Sequence, residues 1–134
     1  MPQPEWFQHY LKRFDTVQIN ASFYSWPTVA GVQAWRRAPG KKTFVYTVKV
    51  CELITHIKKF KGTKTLVEDF GMIADILGDR MGCFLFQLPP SYRFTRTRLN
   101  DIVSQLDPAR SNVVEFRRGP LQEQKMIPAF WKAL

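Results

Sequence analysis

The chain has 134 residues, 45% of them hydrophobic and 14% aromatic, which is enough to bury the core of one domain and too apolar for a disordered segment. Twenty Lys plus Arg against eleven Asp plus Glu give a net charge of +9, which attracts anionic partners in general without selecting one. Apolar stretches are strand-sized, far short of the roughly 20 residues that span a bilayer, residues 1–5 lack the pattern of a secretory signal, and Cys51 and Cys83 are isolated; the expectation is no membrane, no disulfide framework and a cytoplasmic location.

The opening PEWFQHYLKRF places Trp6, Phe7, Tyr10, Leu11 and Phe14 on one helical face, with Pro4 tolerated in the first turn. That helix feeds a strand at Thr16 to Ile19. In the following NASFYSWPT, Pro27 forbids a simple strand continuation, so Phe23, Tyr24 and Trp26 make an aromatic-rich loop. Two readings stand for these rings: they cap the core at the sheet edge, or one or two of them wall a pocket. Val29 to Arg37 reads as a short helix closed by Pro39 and Gly40. Thr43 to Val48, β-branched or aromatic at almost every position, reads as a strand buried on both faces. Lys49, Glu52 and ITHIKKF then form a polar loop.

Lys64 to Leu77 is the clearest helix, with Leu66, Phe70, Ile73 and Leu77 as its apolar stripe, Thr63 or Thr65 as its cap and Gly78 as its stop. Gly82 allows a tight turn into CFLFQLPP, a strand whose ladder the double proline halts just beyond Gln87. Thr97 to Leu106 is a further helix, and Asn112 to Phe116 is the last clear strand. A short helix is expected around Ile127 to Leu134. The alternation of helix and strand makes this an α/β chain with parallel strands, read as one domain over residues 1–134.

In such folds the C-terminal strand ends line the face where ligands bind. Here they carry Asn20, Lys49, Gln87 and the pair Glu115 and Arg117. By the period of two, Glu115 and Arg117 share one face and Val114 and Phe116 the other. The carboxylate and guanidinium are either a salt bridge closing the interior or a clamp and acid-base pair at its mouth. A lone carboxylate is weak support for glycosidase chemistry, and Asp15 sits at the wrong strand end to be its partner. His56 is either a general acid or base beside Thr55 and Lys58 or a loop histidine satisfying a carbonyl. No His, Cys or carboxylate stands at metal-ligand spacing to it, so no metal is expected. The candidate catalytic residues are Glu115, His56 and Lys49; the candidate ligand-binding residues are Asn20, Tyr24, Gln87 and Arg117.

The segments TVQINASFYSWP, FVYTVKV, ITHIKKF, GDRMGCFLFQLPPSY and NVVEFRR resemble consecutive blocks of the YecE-like family, which carries the domain-of-unknown-function number seventy-two. The similarity spans about residues 6 to 118. The resemblance implies a TIM-barrel-like α/β fold without an established biochemical role. It also implies that Asn20, Phe23, Tyr24, Pro27, Lys49, Thr55, His56, Gln87, Pro89, Pro90, Glu115 and Arg117 occupy the family's characteristic positions. Where the family has TVEIN, this chain has Gln18 in place of the carboxylate; it also begins after the family's first strand and runs out after EFRR.

The expected fold is therefore a partial TIM-barrel with about four parallel strands alternating with helices, lacking the first strand and the C-terminal half. An open half-barrel exposes edges and an inner face, which favours a homo-oligomer or a complementary chain. The leading expectation for function is a small polar or anionic ligand held over the strand ends, with a hydrolase or isomerase as the least strained chemistry if there is any. Whether the chain is an enzyme, and with what cofactor, the sequence leaves open. The alternatives are a basic nucleic-acid-binding protein, carried by Lys58, Lys59, Lys61 and Lys64, or an inactive fragment or interaction module needing a partner.

Overall fold

Four short runs rich in Val, Ile, Phe, Thr and Tyr pair side by side as parallel strands: β1 (Thr16–Ile19), β2 (Val45–Lys49), β3 (Met81–Gln87) and β4 (Asn112–Arg117), in the order β1-β2-β3-β4. The computed structural model describes residues 13–39, 43–117 and 124–128. Between the strands lie α1 (Ala21–Tyr24), α2 (Val29–Arg37), a π-helical turn at Leu53–Ile57, α3 (Lys64–Phe70), α4 (Met72–Leu77), a 3-10 turn at Gly78–Arg80 and α5 (Arg96–Gln105). This is the expected partial TIM-barrel-like α/β arrangement. The proposed helix over residues 4–14 falls almost wholly outside the described residues.

Parallel partners share a face, so the register sorts the side chains. Tyr46, Val48, Phe84, Phe86, Val114 and Phe116 point to one side and form the core with Val32, Ile54, Phe60, Phe70, Ile73, Leu77, Leu99 and Ile102 from the connecting segments. The other face carries Gln18, Thr47, Lys49, Cys83, Leu85, Gln87, Val113 and Glu115. Only the first set matches a fully buried layer.

Several expectations need correction. The β2 strand is not buried on both faces: burial alternates, with Tyr46 and Val48 inside and Val45, Thr47 and Lys49 half-buried, because only one side of the sheet faces the core residues. The FYSW segment is not a loop at its start but the one-turn α1, and ITHI is wound into the π-helical turn rather than left irregular. The single helix over residues 64–77 breaks at Gly71 into α3 and α4; a Cβ there would stand 3.0 Å from Arg110 Nε and 3.1 Å from the Glu68 carbonyl, so glycine lets the guanidinium pack against the backbone. Thr63 stands at the N-cap of α3 without a capping bond from its side chain, which is hydrogen-bonded to Gln105 instead. Finally, residues 124–128 form β5 (Gln124–Pro128), antiparallel to β4, in place of the start of the expected C-terminal helix; residues 129–134 are outside the described set. A hairpin partner on β4 satisfies a row of backbone groups that a helix would leave open.

Among the described residues, no helix is long and apolar enough to cross a membrane. Cys51 is buried, Cys83 half-buried, and both are free thiols.

Candidate functional site

The backbone first fixes where the strand-end residues can lie. Val50 N–H donates to the Leu85 carbonyl and Leu88 N–H to the Glu115 carbonyl, both at 2.9 Å, so the ladder runs one residue past β2 and β3 before Pro89 ends it. Lys49 pairs with Leu85, and Gln87 pairs with Glu115. Lys49 thus stands on the same face as the Gln87 and Glu115 pair, offset from Gln87 by one strand spacing and one pleat repeat, roughly 5 and 7 Å, and from Glu115 by one strand more.

Gln87 and Glu115 are joined directly: the Gln87 Nε2 amide donates to Glu115 Oε1. Glu115 is only 5% exposed, while Gln87 is half-buried. The double proline after Leu88 stiffens the end of β3, and the amide is thereby held as a donor to the carboxylate. Of the two readings offered by the sequence for Glu115, the structure gives it an amide partner; Arg117 is the last residue of β4 and no side-chain placement is described for it.

Lys49 lies with its Nζ 4.2 Å from the centroid of the Phe23 ring, a cation over an aromatic face. His56 meets the same ring edge-on, centroids 4.9 Å apart, and Tyr24 does so at 5.0 Å. His56 Nδ1 and the hydroxyl of the buried Thr55 are 2.8 Å apart, which fixes the orientation of the imidazole. Ser22, 1% exposed, places its Oγ 2.6 Å from the Lys49 carbonyl and 3.2 Å from that of Ile19, fastening α1 across the ends of β1 and β2. Asn20, at the N-cap of α1, accepts a 2.5 Å hydrogen bond from Gln18 Nε2.

The structure therefore brings Lys49, His56 and Tyr24 together around Phe23, and Gln87 together with Glu115. Phe23, read from the sequence as a core cap or pocket wall rather than as a site residue, and Ser22, which the sequence did not single out, organise the first group. The dense aromatics of FYSW were the available signal for Phe23; Ser22 left none. Tyr24 itself is 73% exposed, so it borders the surface rather than walling a closed pocket. Asp15 lies at the start of β1, its carbonyl accepting from Val45 N–H, remote along the strand from Glu115 as expected.

A cavity of about 200 Å³ lies elsewhere, lined by Val67, Phe70, Phe84, Phe86, Arg110 and Asn112 among others. It opens on the helix-covered side of the sheet, and it contains none of the strand-end residues. Arg110 in its lining bridges Asp75 at 3.2 Å and approaches Asp107 at 3.7 Å. Among the described residues, no group of three or more His, Cys, Asp or Glu side chains could hold a metal ion.

A family model described as "Protein of unknown function DUF72" matches residues 1–133. The chain belongs to the DUF72 family. This is the YecE-like family whose blocks the sequence resembles, and its model extends beyond residues 6–118 to almost the whole chain. Among solved structures, the chain is similar to a DUF72 family protein from Enterococcus faecalis V583, at 18% identity and a TM-score of 0.66, covering 81% of this chain and 46% of that one. It is also similar to a DUF72 family protein from Thermotoga maritima MSB8, at 28% identity and a TM-score of 0.59, covering 78% of this chain and 42% of that one. The DUF72 chain thus spans less than half the length of these relatives. A comparison with curated protein sequences finds no match.

Proposed function

We propose that this DUF72 chain binds a small polar or anionic ligand on the open sheet face, over the C-terminal ends of β2, β3 and β4. The observation that carries this reading is the buried Glu115 carboxylate held by Gln87, with Lys49 on the same face of the sheet, diagonal to Gln87. A carboxylate buried on a half-open face costs desolvation that an apolar residue would not, so its presence there favours a role in recognition over one in packing.

In this reading Lys49 supplies positive charge, Gln87 and Asn20 supply directional hydrogen bonds, and Tyr24 borders the entrance. Arg117 follows Glu115 by two residues on β4 and adds a second cation. If the bound molecule reacts, Glu115 is the proton-transfer group, Lys49 stabilises developing negative charge and His56 is the secondary acid or base, a set that suits a hydrolase or isomerase. The compartment proposed for this activity is the cytoplasm, and a homo-oligomer or a complementary chain is the proposed means of covering the open face.

The test is calorimetric titration of the purified chain with inorganic phosphate and with a panel of small mono- and dicarboxylic acids, repeated on Lys49→Met. The reading expects at least one of these to bind and Lys49→Met to weaken it by about tenfold or more while leaving the thermal transition in place. A large loss of thermal stability with unchanged binding would refute it.

A further inference from the structure

We propose a second interaction surface, which meets the strand-end site at Tyr24 and leads away from it: a track for single-stranded nucleic acid that runs from the exposed ring of Tyr24 to the lysine-rich segment at residues 58–64. The loop carries Lys58, Lys59 and Lys61, and Lys64 opens α3 directly after it, all exposed; the flanking acidic residues are Glu52 before the segment and Glu68 after it. Three lysines on one short loop and Lys64 at the start of α3, with no carboxylate between them, form a patch too extended for a single small anion and suited to successive phosphates.

The loop is built to hold these charges in place. Lys59 and Phe60 are consecutive non-glycine residues in the left-handed region, with φ of 48° and 63°, a conformation that persists only where the surroundings enforce it. The enforcement comes from buried anchors. Phe60, 1% exposed, packs on Phe86 at 5.8 Å between ring centroids. Gln105, on the last turn of α5, accepts from Thr63 N–H at 3.1 Å and from Thr63 Oγ1 at 2.6 Å, and donates through Nε2 to the Phe60 carbonyl at 2.8 Å. Both sides of the Phe60 to Thr63 stretch are thus latched from inside while the lysine side chains stay in water.

The same helix extends the positive field. Arg96 and Arg98 occupy the first turn of α5, which contains no acidic residue, although the positive end of the helix dipole disfavours cations there. Arg98 lies over the Tyr92 ring at 4.7 Å and donates to the Arg93 carbonyl at 3.0 Å, so it too is positioned. Seven residues of α5 separate Arg98 from the Gln105 latch, roughly 10 Å. At the other end of the track, Tyr24 touches Phe23, Phe23 touches His56, and His56 adjoins Ile57, 66% exposed, and Lys58. An exposed aromatic ring leading into a row of exposed lysines on an anchored backbone is the combination that binds unpaired bases by stacking and their backbone by charge.

The experiment is fluorescence anisotropy of the whole chain with a labelled oligouridylate of about 12 nucleotides, across a series of salt concentrations. Three variants accompany the wild type: Lys58→Gln/Lys59→Gln/Lys61→Gln, Tyr24→Ala and Lys49→Met. The expected result is that the triple variant weakens binding and flattens the slope of log K against log salt by about 2, that Tyr24→Ala weakens binding about 5-fold or more, and that Lys49→Met changes it little. Circular dichroism and thermal melts of the variants establish that these exposed substitutions leave the fold in place. The proposal is overturned if the wild type does not bind, if the triple variant binds as the wild type does, or if duplex RNA or heparin competes equally well and Tyr24→Ala has no effect. Because the probe and the lysine variants do not involve Gln87 or Glu115, failure here leaves the strand-end reading standing, and the reverse also holds.

Discussion

Gln87 and Glu115 face each other across adjacent parallel strands, and the amide of the first donates to the buried carboxylate of the second. Removing only the donor leaves a buried carboxylate oxygen without its partner. Gln87→Leu is expected to destabilise the fold by about 1–3 kcal/mol, whereas Gln87→Leu combined with Glu115→Leu should recover much of that loss. Urea unfolding of the single and double variants checks it; equal destabilisation by both would contradict the pairing.

Gln105 is the latch between α5 and the loop at residues 60–63, with bonds to Thr63 N–H, Thr63 Oγ1 and the Phe60 carbonyl. Gln105→Leu keeps the apolar body of the side chain but strands these buried groups. The expected cost is about 2–4 kcal/mol, together with faster amide exchange at Thr63. Hydrogen exchange read by NMR would detect the second effect even where the first is partly relieved by entry of water.

Gly82 lies within β3 rather than in a turn leading into it, at a point where a Cβ would stand 2.7 Å from the Tyr46 carbonyl oxygen, next to the register shift between Tyr46 and Thr47. Backbone cannot give way there as the tip of a side chain could. Gly82→Ala is expected to cost about 1–3 kcal/mol, which chemical denaturation would measure; a neutral substitution would show that the β2 and β3 pairing is looser than its register implies.

The Tyr46 phenol is pushed above its ordinary value of 10.0, chiefly by burial, with the neighbouring Arg80 opposing the shift. Burial also raises Tyr92. In both cases the unfolded chain gives up the proton at lower pH than the folded one, so the unfolded state binds fewer protons above pH 10. Stability is therefore intact below about pH 10 and falls as pH rises from there through the folded values. Tyr46→Phe should shallow this alkaline decline while forfeiting the 2.9 Å hydrogen bond to the Trp35 carbonyl, about 0.5–1.5 kcal/mol at neutral pH. Thermal melts between pH 8 and 11, taken as about the range that brackets the phenol, would test the sign.

The elements most legible in the sequence are those whose pattern is local. The β-branched runs at β1, β2 and β4, the apolar stripe of residues 64–77 and the punctuation by Gly78 and Pro89 each reflect backbone preferences or side-chain periods that hold whatever the neighbours are. Because successive strand residues alternate faces, Val114 and Phe116 were assignable to one side and Glu115 to the other before any partner was known. The blocks around FYSWP and FLFQLPP likewise placed the chain in its family.

Tertiary structure decided everything that depends on a partner distant in the chain. Gly71 divides a helix whose stripe reads as continuous, and the side chain that packs against it there, Arg110, comes from a distant part of the chain. Thr63 looks like a cap but is hydrogen-bonded to Gln105, and Phe23 becomes the centre of the strand-end group only because Lys49 and His56 arrive from a different connection. A local pattern fixes which way a side chain points relative to its own backbone. What it meets there is set by register and by the packing of segments far apart in sequence, and only the folded chain determines that.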